Sequence, residues 1–200
     1  MNLSESEISE IVNFIRPIFE DCLRNYDFKK YPATAYDSFK ESFSSLTLQD
    51  NAVWNALAWK WGHWAKKGNF PEHHKDLIRE VESLWPNFAK SQATLTARET
   101  FEWWSIELSK KTRYITVAFI THLVHHDDPL PIIDQHNFRA MNSLTKRVRP
   151  QSSFKKKPSN WDDIERLTEF MAELKTHMPN RTFSEIDRFL MMYGRNLAER

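Results

Sequence analysis

"PLPIIDQHNFRAMNSL", residues 129–144, puts an aspartate, Asp134, at the junction between an apolar extended run and a helical pattern carrying His136 and Arg139. An aspartate there has two physical uses. As an N-cap it accepts a backbone N–H from the following turn and complements the helix dipole, which stabilises by about 1 kcal/mol. As a carboxylate at the mouth of an apolar segment it is also placed to act on a substrate.

Just upstream, "TRYITVAFITHLVHH" is rich in Ile, Thr and Val, which favours a strand by propensity. The run is longer than an ordinary strand, and Tyr114, Val117, Ala118, Thr121 and Val124 recur at helical spacing, so the expectation is a largely buried helix. Downstream, Arg139, Lys146, Arg147 and Arg149 continue into Lys155, Lys156 and Lys157, with no acidic residue between Gln135 and Trp161. Most charge runs are solvated faces. This one begins on the helix that Asp134 opens, and such a patch attracts polyanions.

The rest of the chain supports an all-α reading. Its 200 residues are 40% apolar and 28% charged, enough for one globular unit, and only three are glycine, so tight hairpins and phosphate-cradling glycine loops lack raw material. Cys22 is the single cysteine, which excludes an internal disulfide, a thiolate zinc site and an iron–sulfur cluster and fits a reducing compartment. No N-terminal leader pattern and no membrane-length apolar run is present, so a soluble, cytoplasmic protein is expected.

Helix boundaries are signalled by caps and breakers. Ser4 with Glu7 resembles a capping box opening a first helix that Pro17 kinks or splits. A short helix follows through Tyr36, Phe39 and Phe43, and another from a Thr47 or Asp50 cap to a stop at Gly68. Pro71 opens the next, which Pro86 ends. Thr96 with Glu99 marks a further start, and the last two helices are capped at Asn160 and at Thr182 or Ser184.

Two further clusters invite chemistry. Trp54, Trp61 and Trp64, on one predicted helix, and Trp103 with Trp104 are either core or a stacking wall for an extruded base. His122 and His126 have the i, i+4 spacing of a zinc pair, beside His125, Asp127 and Asp128. No His-Glu-x-x-His pattern accompanies them, and a polar helix C-terminus explains them better than a metal. His73 and His74 read as surface residues.

Pro131, Ile133, Asp134, His136, Phe138 and Arg139 fall in order on a segment that resembles the apolar-Pro-apolar-Asp-x-His-x-x-Arg signature of the helix-hairpin-helix DNA glycosylase superfamily. "SEIDRFLMMYGR" is similar to the superfamily's closing helix, so the resemblance covers roughly residues 95–200. It implies a two-lobed all-α fold without cluster or cofactor: a helical lobe over about 30–145 with its hairpin near 106–114, and a second lobe from the N-terminal helix and about 146–200. It also makes Asp134 the catalytic carboxylate, and His136 and Arg139 organisers of its helix and contacts to phosphate.

Bifunctional members carry a nucleophilic lysine whose matching place here is Arg113, with Lys110 and Lys111 close by. Arginine forms no Schiff base, so the resemblance implies a monofunctional enzyme that leaves an abasic site. The hairpin departs from the family by lacking glycine, so either side chains (Ser109, Lys110, Lys111, Arg113) grip phosphate there or the duplex is held elsewhere. The expected partner is DNA bearing a damaged or modified base, bound by a monomer. One similar branch is the phage-defence glycosylases that excise glucosylated hydroxymethylcytosine. The competing expectation is a non-catalytic helical module that binds nucleic acid.

Overall fold

A computed structural model describes residues 3–64, 70–91, 94–108 and 113–197. Among the described residues every regular element is helical: α1 (Glu5–Ile15), a 3-10 turn (Arg16–Ile18), α2 (Phe19–Arg24), α3 (Ala33–Ser44), α4 (Ala52–Lys60), α5 (Glu72–Ser91), α6 (Ala97–Glu107), α7 (Tyr114–Val124), α8 (Gln135–Val148), α9 (Trp161–His177) and α10 (Phe183–Asn196). No helix among them is long and apolar enough to cross a membrane.

The chain divides into two compact units, a central one over Asp27–Asp128 and a terminal one made of Met1–Tyr26 with Pro129–Arg200. The division places all of α8 in the terminal unit, whereas the expected lobe boundary lies near residue 145. Pro129 and Pro131 both lie just past the division, at the start of the terminal unit's second segment. The apolar stretch before Asp134 thus leads out of the central unit.

In the terminal unit, Ile8, Ile11, Val12 and Ile15 of α1 are buried, as are Phe138, Met141 and Leu144 of α8 and Leu167, Phe170 and Met171 of α9. Phe19 of α2 stacks on Phe189 of α10, centroids 4.9 Å apart. Helix α10 approaches α8 closely, and Gly194 is the reason. A Cβ there would lie 1.8 Å from the His136 carbonyl oxygen and 3.2 Å from the Ala140 nitrogen.

The central unit is built on rings. Trp59 stacks on Tyr36 at 5.2 Å and on Phe119 at 5.8 Å, and its indole N–H donates to the Pro32 carbonyl at 3.2 Å. His122 of α7 stacks on Tyr36 and shares a hydrogen bond with its hydroxyl. Burial explains why α7 is a helix despite its β-branched residues. All eight residues from Val117 to Val124 are buried, and a helix satisfies its own backbone groups there.

Several boundaries follow their signals. Ser4–Glu7, Thr96–Glu99 and Thr182–Glu185 are reciprocal capping boxes, Asn160 caps α9, and Pro17 lies in the 3-10 turn that splits the first helix. Two do not. Helix α4 starts after Asn51 with no side-chain cap, and it stops at Trp61 because Gly62 takes φ +69°, a left-handed conformation. The Gly62 N–H reaches the Trp59 carbonyl and the His63 N–H reaches that of Ala58, the double bond of a Schellman ending. Gly68 falls outside the described residues.

Helix α5 continues through Pro86, the expected end of that helix. Pro86 lacks the N–H that would reach the Glu82 carbonyl, but both residues are exposed, so water can satisfy that oxygen. Trp85 and Phe88 are buried on either side of it and hold the last turns in place.

Candidate functional site

The site is built around the N-terminus of α8. Asp134 is its N-cap, with extended backbone and a part-buried side chain whose Oδ1 accepts the N–H groups of His136 at 2.6 Å and Asn137 at 3.1 Å. Asn137 reciprocates, its Oδ1 accepting the Asp134 N–H at 2.8 Å, so Asp134 and Asn137 form a capping box with asparagine in the usual glutamate place. Anchoring one oxygen in two backbone bonds fixes the plane of the carboxylate.

Asn137 is 1% exposed, and a buried amide needs partners. Its Nδ2 donates to the Ile132 carbonyl and to Asp187 Oδ1, both at 3.0 Å. Asp187 lies on α10, so one side chain ties the loop before the cap, the cap itself and the closing helix together. Arg139 adds a second tie, donating to the Gly194 carbonyl at 3.0 Å and approaching His136 Nδ1 at 3.5 Å, where the imidazole nitrogen is the acceptor. Sequence reasoning assigns no role to Asn137 and marks Asp187 only as part of a helix signature.

The next turns of α8 form one wall of a cleft of about 770 Å³, with Arg139, Asn142, Ser143 and Lys146 on the helix and Gln151 to Lys157 opposite. Five of its lining residues are cationic, and none is a carboxylate. The basic run does not act as one block, however. Arg149 grips Glu7 with Nε and Nη2, each at 2.6 Å, and Arg147 lies 3.6 Å over the Phe14 ring, so both are committed to α1. Lys155 pairs at 3.1 Å with the buried Asp163. Lys146, Lys156 and Lys157 are exposed and make no ion pair with a described residue.

Arg149 and the Ser4 N–H hold the Glu7 carboxyl well below the ordinary range, at about 2. Glu7 is thus ionised whenever the protein is folded near neutrality.

Residues expected from the sequence elsewhere fall in the central unit. Arg113 is 9% exposed and ion-paired with Glu80, so its guanidinium is spent inside that unit. Ser109, Lys110 and Lys111 lie outside the described residues. Trp104 is fully buried against Trp85 and Phe88, while Trp54, Trp61, Trp64 and Trp103 are part-exposed. Because α4 ends at Gly62, Trp61 and Trp64 do not share a helical face. Trp61 instead stacks on His74 at 4.0 Å, and Trp54 meets Phe70 edge-on at 4.5 Å.

His74 is therefore half inside, not a surface residue, and burial, with His73 and His63 adding to it, pushes its imidazole below the ordinary value. His122 is buried against Tyr36, and His125 meets the Thr100 hydroxyl at 2.8 Å, with burial lowering its pKa. Among the described residues no group of three or more His, Cys, Asp or Glu side chains is arranged to hold a metal ion.

No family model matches this chain, and no curated protein or solved structure matches it.

Proposed function

We propose that the protein is a monofunctional DNA glycosylase that hydrolyses the N-glycosidic bond of a damaged or modified base, with Asp134 as the catalytic carboxylate. One observation carries the reading. The helix that Asp134 caps is the same helix whose following turns bring Arg139 and Lys146 into a cleft with no negative charge. A base-excising site must lie beside phosphates, so an anchored carboxylate and a cationic groove on one short helix suit that chemistry.

In this reading the C1′–N bond breaks with its electron pair leaving on the base, and positive charge builds on the deoxyribose. The Asp134 carboxylate stabilises that charge and takes a proton from the water whose oxygen bonds to C1′. The departed base nitrogen takes up that proton, which regenerates the carboxylate and leaves a free base and an abasic site. His136 and Arg139 position the helix, and the helix-hairpin-helix glycosylase fold is the architecture this proposal adopts. No lyase step is included, since Arg113 is an arginine and is occupied by Glu80.

A second reading has an observation of its own. Asp134 Oδ1 already does the work of a cap, so the chain is equally built as a non-catalytic nucleic-acid-binding module. The test is an abasic-site assay on DNA carrying deaminated, alkylated or glucosylated hydroxymethylcytosine bases, followed by alkali. The glycosylase reading expects alkali-dependent breaks with at least one substrate. It fails if no base is released from any of them while the DNA is bound.

A further inference from the structure

The segment over residues 151–159 carries no helix, yet it is fastened on both sides. The Lys155 carbonyl accepts from Asn142 Nδ2 of α8 at 3.0 Å. The Lys155 ammonium reaches both oxygens of Asp163 on α9, at 3.1 and 3.3 Å. Asp163 is 1% exposed and also accepts the Ser159 N–H at 2.8 Å. A carboxylate that deep is retained only with such partners. Its effect is to set Lys155 as a rivet, with Lys156 and Lys157 left exposed and Phe154 lining the cleft on the other side of it.

The lining offers five cations, the amides of Asn142 and Gln151, the hydroxyls of Ser143, Ser152 and Ser153, and one aromatic ring, but no carboxylate. A polyanion that also carries flat rings, as a nucleic-acid strand does, matches the cations and the ring together. What separates an unpaired strand from a duplex here is the Phe154 ring, since only a base that is free of its own stack can lie on it. Positive grooves with an aromatic face for a base are the common solution for single strands.

We propose that this cleft holds an unpaired nucleic-acid strand, with a base stacked on Phe154, phosphates on Lys146, Lys156 and Lys157, and Asp163 as the buried positioning residue that preforms the wall through Lys155. The inference rests on the nucleic-acid part of the reading above and not on catalysis by Asp134. It makes the cleft the grip on a strand lying beside the N-terminus of α8, whether or not a base is excised there.

The test is fluorescence anisotropy of the full chain with a 12-nucleotide strand, the matching duplex, and polyphosphate and polyglutamate as competitors. The wild type binds the strand more tightly than the duplex, and polyglutamate competes poorly. Phe154→Leu lowers strand affinity about tenfold, as loss of one stacked base does, and leaves polyphosphate competition unchanged. Lys156→Ala with Lys157→Ala lowers the salt slope by about 0.7 for each phosphate that is no longer neutralised. Asp163→Asn and Lys155→Gln each weaken strand and polyphosphate alike while circular dichroism stays at the wild-type level.

Tighter duplex binding, an unchanged Phe154→Leu affinity, or polyglutamate competing as well as polyphosphate overturns the proposal. The abasic-site assay on wild type and Asp134→Asn separates the two readings. Strand binding as described with no excision by the wild type, or with excision undiminished in Asp134→Asn, sinks catalysis by Asp134 and keeps the cleft, and excision lost in Asp134→Asn with an unaltered Phe154→Leu affinity does the reverse.

Discussion

The N-terminus of α8 and the ring array around Trp59 are both partly polar clusters in protein interiors, and they are built on opposite plans. In the central unit Tyr36, Trp59, Phe119 and His122 lie within 18° of parallel, and their polar atoms are turned on one another or on backbone. In the terminal unit the buried member, Asn137, is spent so that a part-exposed carboxylate is held still. Aromatic abundance catches the eye in the sequence, but much of it is packing. In the proposed function the chemistry belongs where a small polar residue is buried to orient a charged one.

That contrast can be broken or sharpened, beginning with the largest effect. Gly194→Ala pushes a Cβ into the His136 carbonyl and parts α10 from α8. A loss of about 3 kcal/mol, the upper end for overpacking, is expected. Hydrogen exchange should rise through α8 and α10 first. Equal loss of protection around Trp59 would mean the two units do not differ as described.

Next is Asn137→Ala, which strips a partner from the Ile132 carbonyl and from Asp187. Thermal melts should show a loss of about 2 kcal/mol, and excision should slow although Asp134 is intact. Trp59→Phe keeps a ring but removes the bond to Pro32, for about 1 kcal/mol. Base excision should be untouched by it. Excision abolished in a folded Trp59→Phe protein would move the functional site into the ring array.

Smallest is the acid limb of stability. The folded Glu7 carboxyl lies at about 2 against an ordinary 4.5, so its contribution is complete above the ordinary value and disappears as pH falls from there to about 2. Glu7→Gln should lower stability by a constant amount above that window, flatten its dependence on pH across it, and meet the wild type at the acid end. An unaltered acid limb would mean that Arg149 does not hold α1 on α8 through charge.

What the sequence made legible was local. The reciprocal caps at Ser4 and Thr96 are readable because partner and cap are three residues apart, the sequence leaves the last helix open between Thr182 and Ser184, and Asp134 as a cap follows from residue type and position. Helix α7 was readable because a 3.6-residue period over a long apolar run outweighs β-propensity. The early end of α4 at Gly62 was missed because a later glycine offered the same stop signal. Pro86 reads as a breaker because its neighbours' burial is a tertiary fact.

The network itself was hidden for a different reason. Asn137 meets Asp187 across fifty residues, and nothing in the periodicity of either helix marks that pair. The division of the basic run was equally invisible. Arg149 and Arg147 are claimed by Glu7 and Phe14 at the far end of the chain, while Lys146, Lys156 and Lys157 stay available to a ligand.

The central claim, that Asp134 is a catalyst as well as a cap, is tested most directly by Asp134→Asn in the abasic-site assay with a melt run alongside. Asparagine caps a helix about as well as aspartate, so stability should change by only a few tenths of a kcal/mol. The account predicts an unchanged melt and the disappearance of alkali-dependent breaks. Breaks persisting at the wild-type rate in a folded Asp134→Asn protein would contradict it and leave Asp134 a cap alone.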